Sequence, residues 1–218
     1  MRSGSVACGA LLASPVDLAA GGSWHTAVMP GPDVPPSHEV CEDLQRSLVE
    51  SQRLGFLGDR PIDEVVAHAR SFVRPLAEVG GSVIDLGSGG GIPGLVVAHD
   101  RPDLRVVLVD RRAKRTDFLR RIVSRLGWSD RVEVLNDDVA HVIQRSPDAF
   151  DAAVARGFGP PDVTLRAGSG LVCVGGRIVI SEPPSGDRWP GELLGDLGLS
   201  RVRTNDSTVA VFQRHGFT

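Results

Sequence analysis

The chain has 218 residues, 41% hydrophobic and 23% charged, a globular composition and not that of a disordered chain. Its 24 Lys and Arg against 27 Asp and Glu leave a formal net charge of −3, which excludes a uniformly basic nucleic-acid coat but not a local basic patch. No run of ~18 apolar residues is present, so no membrane-spanning helix is predicted; Cys8, Cys41 and Cys173 have neither the pairing of a disulfide framework nor the spacing of a zinc site.

Residues 1–36 are rich in Gly, Ala, Ser and Pro and read as a disordered leader closed by Pro30, Pro32, Pro35 and Pro36. The apolar run from Val6 to Ala13 is too short, and its flank too weakly positive, for a secretory signal. With an odd number of cysteines this points to a reducing, cytoplasmic compartment. Residues 37–218 read as a single domain, with a helical preface over 37–80 and an α/β core over 81–218. Ser37 is a candidate N-cap for a helix to about Glu50, with Val40, Leu44 and Leu48 as its apolar stripe. Pro61 opens a second helix, where Ile62, Val65, Val66, Ala69, Phe72, Val73 and Leu76 follow a 3.6-residue period.

From Ser82 onward strands and helices alternate. Buried-strand runs are predicted at Ser82–Leu86, Arg105–Asp110, Val132–Leu135, Asp151–Ala155 and Arg177–Ser181. Helices are predicted between them at Leu95–His99, Lys114–Leu126, Val139–Gln144 and Asp162–Ala167. That order predicts an open, mostly parallel α/β sheet of Rossmann type with helices on both faces. The tail differs: Ser200–Thr204 and Thr208–Gln213, joined by Asn205-Asp206-Ser207, read as an antiparallel hairpin at the sheet edge.

The strongest chemical signal is the glycine run Gly87-Ser88-Gly89-Gly90-Gly91-Ile92-Pro93-Gly94, which follows a buried strand and precedes a helix. Gly87, Gly89 and Gly91 let backbone approach a ligand without a Cβ in the way. Asp110, 19 residues past Gly91 at the end of the next strand, is placed to accept both hydroxyls of a ribose. Dinucleotides and S-adenosylmethionine both fit this geometry. Asp85, directly before the glycines, separates them: its carboxylate would repel a pyrophosphate and suits an ammonium group. Asp138, after the third strand, can accept from an adenine amino group, as could Asp137; Val139 beside it completes the predicted cofactor contacts.

On the acceptor side Arg156 ends the fourth strand, where an open α/β sheet has its crevice. It either positions substrate, through a phosphate or a base, or pairs with a helix end or surface acid. Phe158 either stacks on a base or belongs to the core. Residues 105–131 hold nine basic side chains against three acids, a face that either meets RNA phosphates or is simply solvated. The histidines are scattered, and no metal site is expected.

The body resembles the RsmG (GidB) family of bacterial small-subunit rRNA guanine-N7 methyltransferases over about residues 40–213. The resemblance is carried by Val83 to Gly94, Arg101-Pro102-Asp103-Leu104, Lys114-Arg115-Thr116-Asp117-Phe118-Leu119, Ala155-Arg156-Gly157-Phe158 and, upstream, Arg53-Leu54-Gly55-Phe56-Leu57-Gly58. It implies a class I methyltransferase sheet of seven strands, S-adenosylmethionine as donor, a guanine of 16S rRNA in the small ribosomal subunit as acceptor, and a functional role for Arg156. Three places depart from the family pattern. An Arg-His pair before the first strand is reduced to His68. A Leu-Lys-Gly at the end of the fifth strand is replaced by Ile180-Ser181-Glu182. A Gly-Arg-Ala-like turn after the third strand is replaced by Asp137-Asp138-Val139. These departures leave two other readings open: the same cofactor with a small-molecule or other RNA acceptor, and a cofactor-binding module without turnover.

Overall fold

The computed structural model describes residues 40–183 and 188–216; the expected leader over 1–36 and the Ser37 cap lie outside them. Helix α1 (Glu42–Arg53) buries Leu44, Ser47, Leu48 and Ser51, one face at helical spacing, with Glu42 and Asp43 in its first turn and Arg53 in its last, as the helix dipole favours. Helix α2 (Ile62–Arg70) buries Val65, Val66 and Ala69. It stops earlier than its apolar period suggests. Pro75 lacks the N–H that would continue the helix, and the chain tightens into a 3₁₀ turn at Arg74–Leu76 while Phe72 and Leu76 stay buried.

The α/β core follows as β1 (Ser82–Leu86), α3 (Gly94–Asp100), β2 (Arg105–Asp110), α4 (Ala113–Arg125), β3 (Val132–Asn136), α5 (Val139–Arg145), β4 (Phe150–Ala155), α6 (Pro161–Leu171) and β5 (Val172–Ser181), then α7 (Gly191–Asp196), β6 (Leu199–Val202) and β7 (Val209–Arg214). The seven strands stand in the order β3-β2-β1-β4-β5-β7-β6. Pairing is parallel from β3 to β5, and β7 runs antiparallel between β5 and β6. Every residue of β1 is buried, as befits a central strand, whereas β3 at the edge buries only Val132.

Alternation along the strands feeds two cores. Val83, Val106, Leu108 and Val154 face the side covered by α1 to α4; Ile84, Leu86, Val107 and Ala153 face the side of α5 to α7. The expected elements all appear, with extensions and one addition. Strand β5 begins five residues before the expected Arg177, because Val172 pairs with Phe150 before the register shifts to Arg177 opposite Ala152. Gly176 allows that shift: a Cβ there would lie 2.6 Å from the Asp151 carbonyl oxygen. Helix α6 continues past Ala167 to Leu171. The short α7 has a Gly-rich sequence with no apolar period and was not expected. The tail hairpin is antiparallel and at the edge, but its connection covers residues 203–208 and not three residues alone. Among the described residues no helix is long and apolar enough to cross a membrane.

Candidate cofactor and acceptor site

The strand order sets the location. The chain leaves β1 toward β2 and β3, then returns to β4 on the opposite side of β1. The C-terminal ends of β1 and β4 therefore diverge into a crevice. The glycine loop lies at this point. Gly87, Gly89 and Gly91 have φ of +67°, +55° and +99°, backbone that L side chains avoid. The loop is tied down by Ser88 N–H to the Val109 carbonyl at 2.9 Å and by Ser51 of α1, whose hydroxyl donates to the Gly90 carbonyl at 3.0 Å.

A cleft of about 400 Å³ opens there, lined by Gly87, Asp110, Asp138, Val139, Phe158 and neighbouring residues. Four of the predicted cofactor residues thus meet on one surface. Asp110 is nearly buried at the end of β2. One carboxylate oxygen accepts the Gly89 N–H at 3.0 Å and an Arg115 guanidinium N–H at 3.3 Å; the other accepts the Arg112 N–H at 2.8 Å. It thereby fixes the glycine loop against β2, and still has acceptor lone pairs to offer. Asp138 N-caps α5 by accepting the Ala140 N–H at 2.9 Å. Its neighbour Asp137 binds His141 and Arg145 on the same helix.

Asp85 is placed differently. It is fully buried beneath the loop, where Oδ2 accepts the Gly94 N–H at 2.9 Å, the start of α3. Among the described residues its Oδ1 has no hydrogen-bond partner. Burial pushes its pKa up to about 7, against the opposing Gly94 hydrogen bond. An orphaned carboxylate oxygen at the foot of a glycine cradle is costly unless a ligand group completes it.

Arg156 lies outside the lining of the cleft, on the β4 side of the crevice. Burial lowers its pKa, and Arg60 adds to this, while the charge of Asp85 opposes. His68, at the last turn of α2, is held below its ordinary pKa by burial and then by Arg156 and Arg60. Arg156 and Arg60 thus place positive charge near Asp85 and favour the neutral form of His68. Arg115 belongs to the Lys114–Leu119 motif quoted from the sequence, whereas Arg60 was not singled out there. Arg115 meets Asp110 from the first turn of the following helix, while nothing local marks Arg60. Among the described residues no group of three or more His, Cys, Asp and Glu could hold a metal ion.

The basic face expected over residues 105–131 is occupied in part, while Arg111, Arg112 and Lys114 stay exposed. Arg120 pairs with Asp117 and reaches the Val134 carbonyl, Arg125 pairs with Glu50 of α1, and Arg131 binds the Ala98 carbonyl and stacks over Trp128. These arginines are struts between elements more than a free surface.

A family model described as rRNA small subunit methyltransferase G matches residues 47–182. The chain is 40% identical over 112 residues to a protein of Acidothermus cellulolyticus named ribosomal RNA small subunit methyltransferase G, covering 51% of this chain and 48% of that one. A protein of the same name from Mycobacterium marinum is 32% identical over 159 residues, covering 68% of each. The chain spans about half the length of the first curated relatives it matches. Among solved structures, 1,6-didemethyltoxoflavin-N1-methyltransferase of Burkholderia thailandensis, with S-adenosylhomocysteine bound, superposes with a TM-score of 0.55 at 18% identity, covering 87% of this chain and 95% of that one. An O-methyltransferase family protein of the same organism gives 0.54 at 18%, covering 70% and 58%. At these identities the structural likeness speaks for the fold.

Proposed function

The chain belongs to the rRNA small subunit methyltransferase G family, and from that premise we propose that it methylates a guanine N7 of small-subunit rRNA with S-adenosylmethionine as donor. The observation that carries this reading is the buried Asp85 with its orphaned Oδ1 under a positive-φ glycine loop, one strand away from Asp110. The residues present fit the cofactor. Asp110 offers acceptors for ribose hydroxyls, Asp138 and Val139 line the far end of the cleft for the adenine, and Asp85 suits the ammonium group. Arg156 has no hydrogen bond or ion pair among the described residues and is coupled to Asp85. We read its guanidinium as the group that positions the substrate, through a phosphate or a base.

When bound, S-adenosylmethionine supplies an electrophilic methyl group. Guanine N7 is a bare lone pair, so the chain needs to remove no proton and has only to align donor and acceptor for in-line attack. Phe158 lies close over Gly87, where an added Cβ would come within 2.9 Å of its ring. It can wall the cleft from water and offer a face to a base.

One observation favours a second acceptor. Ser181 stands where the family resemblance has lysine, and the next residue, Glu182, is bound by the Trp189 indole N–H at 2.6 Å and by Arg201. Among the described residues the cations at the end of β5, Arg188 and Arg201, are both turned onto Glu182, which suits an uncharged small-molecule acceptor. Two measurements separate the readings. Calorimetry should show binding of S-adenosylmethionine and none of NAD. Mass spectrometry of 16S rRNA from a strain lacking the gene should show one guanine without its methyl group; unchanged methylation would overturn the rRNA reading while leaving the cofactor assignment in place.

A further inference from the structure

We infer that the groove between the β6–β7 connection and the end of α2 carries the RNA phosphate backbone past the acceptor side of the site. The inference rests on the rRNA reading above and adds the surface that would receive the RNA.

Strand register places this groove. Leu86, which precedes the glycine loop, pairs with Ala155; Ala155 pairs with Ile180; Ile180 pairs with Ala210. This line crosses the sheet at one level from the glycine loop to the start of β7. Arg156 follows Ala155 on that line, and residues 203–208 precede β7 at the same edge. The connection therefore lies beyond Arg156, on the side away from the cofactor cleft. Asp206 of the connection and Arg156 both act on the charge of His68, which joins the two places.

The groove has a volume of about 260 Å³ and an apolar floor of Val202 and Val211. Arg74, Arg177 and Arg203 line it. Arg177 is anchored to the Pro75 carbonyl and to Glu78, and forms part of the wall. Arg74 and Arg203 are exposed and have no hydrogen bond or ion pair among the described residues. Asp206, the acid of the groove, is turned onto Thr208, accepting its N–H at 2.9 Å and its hydroxyl at 2.6 Å. The Thr208 hydroxyl in turn meets Ser71 of the α2 end at 2.8 Å, so the connection is pinned where the two arginines face outward.

A base delivered to the crevice brings its flanking phosphates across the adjoining sheet edge. The arginines of α4 are mostly committed to internal partners, whereas Arg74 and Arg203 are free to neutralise phosphates with their charge.

The test is anisotropy of a labelled small-subunit rRNA transcript titrated with the full chain at several salt concentrations. For Arg74→Gln with Arg203→Gln, affinity should fall roughly ten- to thirtyfold near 0.15 M salt, and the slope of log affinity against log salt should shrink by about 1.4. Calorimetry of S-adenosylmethionine should be unchanged, which reports an intact fold. Arg74→Lys with Arg203→Lys should recover most of the lost affinity; continued loss with the charge kept would overturn a phosphate contact. Unaltered affinity and slope in the Gln variant, with wild-type protein that binds and methylates the RNA, would overturn the groove and leave the rRNA reading intact. Wild-type protein that binds the cofactor but neither binds nor methylates the RNA would overturn both.

Discussion

On the proposed reading Asp85 meets two opposing demands: it is buried enough to prefer its proton, yet its charged form is the one that would bind a cation. Its folded-state pKa of about 7 lies above its ordinary 3.8, so the folded protein holds this proton more tightly than the unfolded chain. The stability this gives is full below about pH 4 and is lost as pH rises to about 7, a change on the order of a few kcal/mol. Cofactor affinity should run the other way, rising as Asp85 ionises between pH 6 and 8. Asp85→Asn keeps an acceptor for the Gly94 N–H and removes the titration. Urea melts should show the variant gaining stability relative to wild type from pH 5 to pH 8, and calorimetry should show weaker cofactor binding with a flattened pH profile. A wild-type affinity independent of pH would remove Asp85 from the ammonium site. For Asp110→Ala the loss of charged hydrogen bonds, ~1.5–3 kcal/mol, should weaken cofactor binding roughly ten- to a hundredfold in the same assay. Part of that loss would come through Gly89, whose N–H Asp110 accepts. Asp85, Asp110 and the glycines were legible in the sequence because one strand, one loop and one helix hold them at fixed spacing. Arg60 and the displaced His68 come from the helical preface and meet Arg156 through tertiary folding, which no local pattern encodes.

Helix α4 shows how an element's sequence can suggest a surface that its packing has already used. Its basic run resembles a nucleic-acid face, but Arg125 lies 3.2 Å from Glu50 and 3.5 Å from the Ser47 hydroxyl, joining α4 to α1. Arg125→Glu would set two carboxylates against each other, both sides being half-exposed. The expected cost is up to about 1 kcal/mol, read as a lowered denaturation midpoint, and Glu50→Arg in the same chain should restore it. RNA affinity should not change with this substitution. The start of α3 is less tolerant. A Cβ on Gly94 would fall 2.3 Å from Leu108 and 2.5 Å from the Asp85 carboxylate, so Gly94→Ala should cost about 1–3 kcal/mol by overpacking. The parallel strands were legible because both their faces are buried and their sequences are continuously apolar. The first five residues of β5 were not, since Gly175-Gly176 interrupts that pattern to shift the register. Nor was α7, a single turn and a half with no buried residue.

At the scale of the whole molecule the sheet has two cores, one on each face, and the helical preface belongs to the first. Leu44 and Leu48 of α1 and Val65, Val66 and Ala69 of α2 share that core with Val83, Val106 and Val154 of the sheet. The second core joins Ile84 and Val107 to Ile178, Ala210 and Phe212, so it reaches the C-terminal strands. Because alternate residues of the same strands feed both, neither core can open without breaking the sheet that supports the other. Unfolding should therefore be a single transition through both faces. Two tryptophans report it separately. Trp128 packs against the first core, and Trp189 packs in the second, edge to face with Phe212 at 5.1 Å. Two variants, Trp24→Phe with Trp189→Phe and Trp24→Phe with Trp128→Phe, leave one reporter each. Their fluorescence melts in urea should agree in slope, and each should coincide with the loss of circular dichroism of the same variant. A hundredfold excess of S-adenosylmethionine over its dissociation constant should stabilise both variants by about 2.7 kcal/mol, although the cleft touches neither tryptophan. An earlier transition at Trp189, or a cofactor shift seen by Trp128 alone, would show instead that α7 and the C-terminal strands unfold as a separate unit.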